Sequence, residues 1–413
     1  MGNQLLRRQS GRGATGWPAV TLIGAAFAIT MLGTTLPTPL YPLYEKAFGF
    51  GELITTVVFA VYAVGVTAAL LVFGHWSDQL GRRPMLQAGL ALSGLSALMF
   101  LGAGALGWLF VGRVLSGLSA GIFTGTATAA IVDLAPECGK KRASLIAAAV
   151  NMGGLGAGPL LAGILAQYAP LPLTLCFIVD LVLVVVAVVG VQVVSEPVRR
   201  AGTLRLRPQK IDVPTEMRGV FTRAAIAGFA GFAVLGLFTA VCPAFLATVL
   251  HDTSHALTGA LVLSVFIAST IGQSLSSLIG DQRALIVGCV GLIAGMVAVG
   301  ASLPLHSLAV LIVGAIIAGL GQGLSFRAGL AAVTGAAPPG KRGEITSSYF
   351  VMLYIGISIP VIGEGAAATA FGLIIAGMVF AALVAIVAAV TLVLLVRRAD
   401  HLRDPNVAEG CQR

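Results

Sequence analysis

The chain reads as an all-α membrane protein of twelve transmembrane helices arranged as two six-helix, pseudo-symmetric halves. Three observations predict this. Of 413 residues, 57% are hydrophobic and only 10% charged; apolar stretches of spanning length recur twelve times; and short motifs repeat at a near-constant offset across the middle. Soluble domains carry about 25% charged residues, so most of this chain is solvated by lipid.

The apolar stretches run at about 20–36, 53–73, 86–106, 108–132, 143–165, 173–194, 222–249, 257–279, 285–303, 307–333, 344–367 and 370–396. Each is long enough to cross about 30 Å of hydrocarbon as a helix. None alternates with a period of two, and many exceed the roughly ten residues of a barrel strand, so helices must satisfy the backbone. The first stretch follows Arg7, Arg8 and Arg12 like a signal peptide. No small-residue cleavage site follows it, so it is expected to remain as the first span.

Placing both termini in the cytoplasm puts 22 of the 25 Lys and Arg on the inner side, with Lys46 alone outside and Arg113 and Arg327 within spans. The positive-inside rule therefore predicts a multi-pass inner-membrane protein with both termini cytoplasmic. The same topology accounts for the formal charge of +9, which forms neither a groove nor a tail for nucleic acid. Five scattered cysteines, Cys138, Cys176, Cys242, Cys289 and Cys411, show no metal-ligand or disulfide spacing.

The long connection from Ser195 to Phe221 is polar and basic and holds Pro197, Pro208 and Pro214. It divides the chain into an N-terminal half (1–194), a cytoplasmic linker (195–221), a C-terminal half (222–400) and a tail (401–413). An internal repeat supports the division. Gly117-Leu-Ser-Ala-Gly121 in the fourth span recurs as Gly319-Leu-Gly-Gln-Gly323 in the tenth, 202 residues later. Gly139-Lys140 and Pro159 recur as Gly340-Lys341 and Pro360 at an offset of 201, and Asp78-Gln79 as Asp281-Gln282 at 203.

Between spans two and three lies Gly74-His-Trp-Ser-Asp78-Gln-Leu-Gly81-Arg82-Arg83-Pro84. Gly74 and Gly81 allow a tight turn at the membrane face, and the charges can hold helix ends together. The motif, with twelve spans and a 6 + 6 repeat, resembles the major facilitator superfamily, in particular its drug and metabolite:proton antiporters. That resemblance covers nearly the whole chain. It implies that Asp78 caps the start of helix eleven near Glu344, that Arg82 pairs with Asp133, and that the cluster is a gating latch. For Arg82 and Arg83, plain topology signalling is the open alternative.

Span four carries Arg113-Val-Leu-Ser-Gly117, resembling an Arg-x-x-x-Gly motif of proton-coupled members. An arginine inside a span is costly and usually functional; because Arg113 lies about five residues from the helix end, snorkelling to the interface is the open alternative. Span five holds Gly154, Gly158, Pro159 and Gly163, resembling an exporter-associated motif from which Ala162 departs. Small residues there let helices approach, and Pro159 lets them bend.

The resemblance places helices one, four, seven and ten around a central cavity. Arg113 and Arg327 are the charges expected there, with Asp180 on helix six, Glu364 on helix eleven and Asn151 as further coupling or substrate candidates. Glu364 is expected at the interface, and Asp180 is either a protonatable site or an acid paired for structure. Two arginines and no mid-span carboxylate on the cavity helices favour neutral or anionic amphipathic cargo. His251 and His255 lack a third metal ligand, and no phosphate loop or nucleophile motif occurs, so no metal, cofactor or enzyme activity is expected.

The reading is a monomeric secondary-active transporter that exchanges protons for a small-molecule substrate, in the sense of efflux and drug resistance. A proton-symport importer shares fold and topology, and a non-transporting receptor is the reading from another class. If protons pass through either acid, Asp180→Asn or Glu364→Gln abolishes uptake of a fluorescent amphiphile into inverted vesicles under a pH gradient. Full activity in both variants excludes these carriers.

Overall fold

The computed structural model describes residues 13–74, 76–198, 209, 211–338 and 341–401. It contains twelve membrane-length apolar helices: α1 (Gly16–Phe48), α2 (Glu52–Phe73), α3 (Arg82–Leu101), α4 (Leu106–Leu134), α5 (Glu137–Tyr168), α6 (Leu175–Val193), α7 (Thr215–Thr248), α8 (His255–Ile279), α9 (Asp281–Ser302), α10 (Leu308–Ala336), α11 (Arg342–Phe371) and α12 (Leu373–Arg397). Among the described residues there is no strand, only one isolated bridge from Ala14 to Val194. That bridge sets the residue before α1 beside the start of the linker, on what we call the linker face.

Two spans, α1 and α7, depart from simple α-helix at prolines, and α5 runs through one. The first apolar stretch was expected to end near Leu36; instead the chain passes through a 3₁₀ turn at Thr38–Leu40 and continues as helix to Phe48. Pro37, Pro39 and Pro42 lack the N–H groups an α-helix needs, so a tighter turn takes over. Gly49, at φ +69°, then caps the helix with its N–H on Glu45 O. In α7 the missing N–H of Pro243 coincides with a π-turn at Leu237–Val241, where Cys242 N–H reaches back to Leu237 O. In α5, Pro159 leaves the carbonyl of Leu155 without its helical donor, and Thr35 Oγ1 of α1 donates to it at 2.8 Å.

The two halves pack alike. Helix α4 lies on α1, α2 and α3, and α10 on α7, α8 and α9. A Cβ on Gly117 would overlap Tyr62 O, and one on Gly121 would meet Val66 O. In the second half, Gly319 lies on Val265 O and Gly323 on Ser269 O. The carbonyls are 203 residues apart and the glycines 202, so the repeat in sequence is a repeat of contacts. The halves meet where α2 packs on α11 and α5 on α8.

Helices α6 and α12 are the least enclosed and α7 the most. Val182, Val185, Val186 and Val189 of α6, and Val379, Leu383, Ile386 and Val390 of α12, are exposed. Such faces are at home only in hydrocarbon. The protein is thus a multi-pass membrane protein.

Replacing Thr35 by Val keeps shape but strands Leu155 O. We expect a loss of about 1 kcal/mol in detergent unfolding, with Thr35→Ser near the parent. Equal stability of the Val variant would mean that the proline gap is satisfied in another way.

Candidate functional site

The loop between α2 and α3 contains a short helix, Trp76–Leu80, and turns at Gly81 with φ +104°. That backbone favours glycine. A Cβ would also stand 2.8 Å from the carboxylate of Glu196, the reason for which lies in the next two residues. Glu196 accepts from the backbone N–H of Arg82 (2.8 Å) and of Arg83 (2.9 Å), capping the free end of α3 with a negative charge. Arg82 reaches Asp78 at 2.6 Å, Asp133 Oδ2 at 3.1 Å and Ser77 Oγ at 2.7 Å. The guanidinium therefore ties the loop to the linker-face end of α4.

Asp78 does not take the place expected for it. Its bond goes to Arg82, and among the described residues it makes none with the first turn of α11; the turn at Gly81 folds the Arg82 guanidinium back onto Asp78. The position between α2 and α11 is filled from the linker. Gln209 donates its N–H to Leu71 O at 2.7 Å and bonds Ser347 of α11 through its side chain, beside Gly74. Asp212 holds Lys341 at 3.0 Å and raises its affinity for the proton. Gly340, one member of the repeat, lies outside the described residues.

Between the halves is a central cavity of about 50 Å³, lined by Met31, Thr34, Thr35, Phe59, Tyr62, Arg113, Thr124, Asn151, Met152, Leu155, Phe232, Leu235, Thr239, Phe266, Phe326, Phe350, Tyr354 and Ile357. Arg113 is its one charged group. It does not snorkel: only 2% exposed, it lies 4.7 Å from the centre of the Tyr62 ring and 5.4 Å from that of Phe59. Its Nη1 donates to Thr34 O at 2.5 Å, and its Nε has no partner. Aromatic faces and a free carbonyl thus replace the water the cation gave up. Asn151 is half-buried with Oδ1 unpartnered.

Arg327, expected at the same cavity, is only partly buried and is absent from the lining; its neighbour Phe326 faces in. Asp180 is buried on α6 and lies against Gly33 of α1, with Oδ1 unpartnered. Helix α1 stands between it and the cavity. Glu364, expected toward the outer end of its helix, is enclosed by protein. It is 3% exposed, neither carboxylate oxygen has a partner, and it lines a narrow pocket near the face opposite the linker. Glu45 and Glu52 line the same pocket. Neither acid, nor Glu196 or Gln209, lies in a motif that marks it in the sequence, although Glu45 and Glu52 flank the Gly49–Gly51 turn.

The glycines of α5 serve two neighbours. Gly154 lies on Ala28 O and Gly158 on Leu32 O, both of α1, whereas Gly163 meets His255 O of α8. Gly259 of α8 in turn meets Pro159 O. His255 Nδ1 lies 3.0 Å from Pro39 O, and among the described residues no three His, Cys, Asp or Glu converge to hold a metal.

Twelve spans in two similar halves around one cavity define a membrane transporter. Residues 23–361 match the Major Facilitator Superfamily, and the chain belongs to that family, whose members carry small molecules and are not enzymes. It is 26% identical over 204 residues to the puromycin resistance protein pur8 of Streptomyces alboniger, a match covering 49% of this chain and 39% of that one. It is 29% identical over 140 residues to an uncharacterized MFS-type transporter of Methanocaldococcus jannaschii, covering 33% and 36%. The matched stretches thus span under half of either relative. The fold resembles a bacterial homolog of the human lysosomal transporter Spinster, inward-facing and unoccupied, with TM-score 0.73, 14% identity and 91% and 96% of the two chains covered. It also resembles the human organic anion transporter MFSD10, with TM-score 0.66, 16% identity and coverage of 92% and 99%.

Removing the cap with Glu196→Ala is expected to raise amide exchange at the start of α3 about fivefold, the equivalent of about 1 kcal/mol. Hydrogen–deuterium exchange of a peptide spanning residues 81–90 measures it. Unchanged exchange would show that Glu196 carries none of the capping.

Proposed function

We propose that the protein is a proton-coupled exporter of small, amphipathic, neutral or anionic compounds, working by alternating access. The observation that supports the cargo class is the wall of the central cavity. Seven aromatic rings and one arginine line it, with no carboxylate. Arg113 retains an unpartnered Nε, so an anionic or acceptor group meets a ready donor while the rings take an apolar body. Ligand pockets measure roughly 300–1,000 Å³, far more than the present cavity, so the halves must part to admit cargo.

Export is supported by the glycine and proline pattern of α5 and by the relative that confers puromycin resistance. In this reading the two units, 1–194 and 222–400, rock about the linker at 195–221, with 401–413 as a tail. The cluster of Asp78, Arg82 and Asp133 latches the linker face. The charge distribution supports an inner-membrane monomer with that face and both termini in the cytoplasm. The Arg113-Val-Leu-Ser-Gly117 stretch, similar to a motif of proton-coupled members, supports the proton gradient as the drive.

Inverted vesicles loaded with the protein test the cargo class. Under an imposed pH gradient we expect uptake of 8-anilinonaphthalene-1-sulfonate and of N-phenyl-1-naphthylamine above that of ethidium. Arg113→Ala should reduce uptake of the sulfonate about tenfold or more, as for a lost hydrogen bond to a charged group. Preferred transport of ethidium that survives Arg113→Ala would overturn the reading.

A further inference from the structure

The buried carboxylate of Glu364 has no counterpart in the cargo cavity. It sits on α11 near the face opposite the linker, where α11 meets α2. A Cβ on the next residue, Gly365, would meet the Thr56 side chain of α2, so the backbone of α11 lies directly on that side chain across the halves. Glu364 shares its pocket with Tyr41 and Glu45 of α1 and with Glu52, Thr55 and Thr56 of α2. The remaining lining, Ala240, Val241, Pro243 and Ala244 of α7, brings no charge. On its other side Glu364 borders a cavity of about 400 Å³ among α7, α11 and α12, whose other lining residues are apolar.

The titratable groups facing Glu364 are therefore Glu45, Glu52 and Tyr41, and no cation is among them. Lys46 lines a separate pocket with Asp252 and His255. Thr55 Oγ1 donates to Glu45 at 2.5 Å, whereas both Glu364 oxygens and the Tyr41 hydroxyl, each nine-tenths buried or more, have no partner. An ionised carboxylate so placed is costly. Three ionised carboxylates on one pocket also repel one another. The pocket has space of about 10 Å³, roughly one water. The acids do not converge as metal ligands do, which favours a proton over a metal cation.

We propose that Glu364, with Glu45 and Glu52, forms a proton-exchange site built into the seam between the halves, apart from the cargo cavity around Arg113. With protons bound, the carboxyls are neutral and Gly365 can close on Thr56. When they are lost, charge repulsion and hydration part α2 from α11 on that face. Proton release and opening of the far face are thereby one event. The inference rests on the proton-coupled reading above, and it assigns Glu364, rather than Asp180, as the coupling acid.

The test needs no cargo. In full-length protein carrying Cys138→Ser and Cys411→Ser, spin labels are placed at Gly51→Cys and Thr369→Cys, exposed positions flanking the seam, and their separation in liposomes is measured by pulsed EPR. From alkaline to acidic pH the far face is expected to pass from mostly separated to mostly closed, as the buried carboxyl takes up its proton. Glu364→Gln holds it closed throughout. Glu45→Gln or Glu52→Gln moves the midpoint down by about one pH unit, because a repelling charge is lost. A pH response that persists unchanged in Glu364→Gln overturns this site but leaves proton coupling standing. No pH response in the parent overturns both. Closure that follows replacement of choline by sodium at fixed pH assigns the pocket to a metal cation instead.

Discussion

Close approach of helix backbones is the constraint on which the rest of this bundle depends. In lipid there is little hydrophobic force between helices, so they are held by dispersion, by occasional hydrogen bonds and by the absence of side chains in the way. Glycines supply that absence at regular places: Gly117 and Gly121 on α2, Gly319 and Gly323 on α8, Gly154 and Gly158 on α1. Each lets a carbonyl of the neighbouring helix come where a Cβ would otherwise stand. The cavity and the seam are consequences of which helices can come this near.

The seam between halves uses the same contacts but few polar ones. Gly259 on Pro159 O, Gly163 on His255 O and Gly365 on Thr56 are packing contacts. The bonds that accompany them, such as Ser254 Oγ and Ala256 N–H to Gln167 Oε1, lie at the exposed end. A surface of this kind can separate and re-form without stranding many buried polar groups. The linker face is different: Glu196, Arg82, Asp133, Gln209 and Asp212 tie loop, linker and helix ends with charged or amide bonds. Pairs this exposed contribute little singly, so the network fixes geometry more than it adds stability.

Buried charge is distributed with equal asymmetry. Arg113 is given aromatic faces and a carbonyl, whereas Asp180 has a glycine beside it and Glu364 an apolar cavity behind it. The arginine is compensated where it stands. The acids are not, and nothing in their surroundings repays the cost of burying a charge.

The spans, their number, the repeat and the membrane setting were all legible in the sequence, because lipid demands about twenty apolar residues per crossing and duplication leaves its offset in glycines. The pairing of Arg82 with Asp133 was legible too, through the motif around Gly81. What the sequence could not decide was direction around each helix axis. Arg327 and Phe326 are adjacent on α10, yet only Phe326 meets the cavity; Glu364 stands toward the outer end of its helix, and only the packing shows that α1, α2 and α7 close over it. Glu196 and Gln209 read as linker polarity and proved to be a helix cap and a bridge. Composition and period determine which segments cross the membrane; the rotation of each helix, which arises from packing against partners distant in the chain, was decided by the tertiary structure alone.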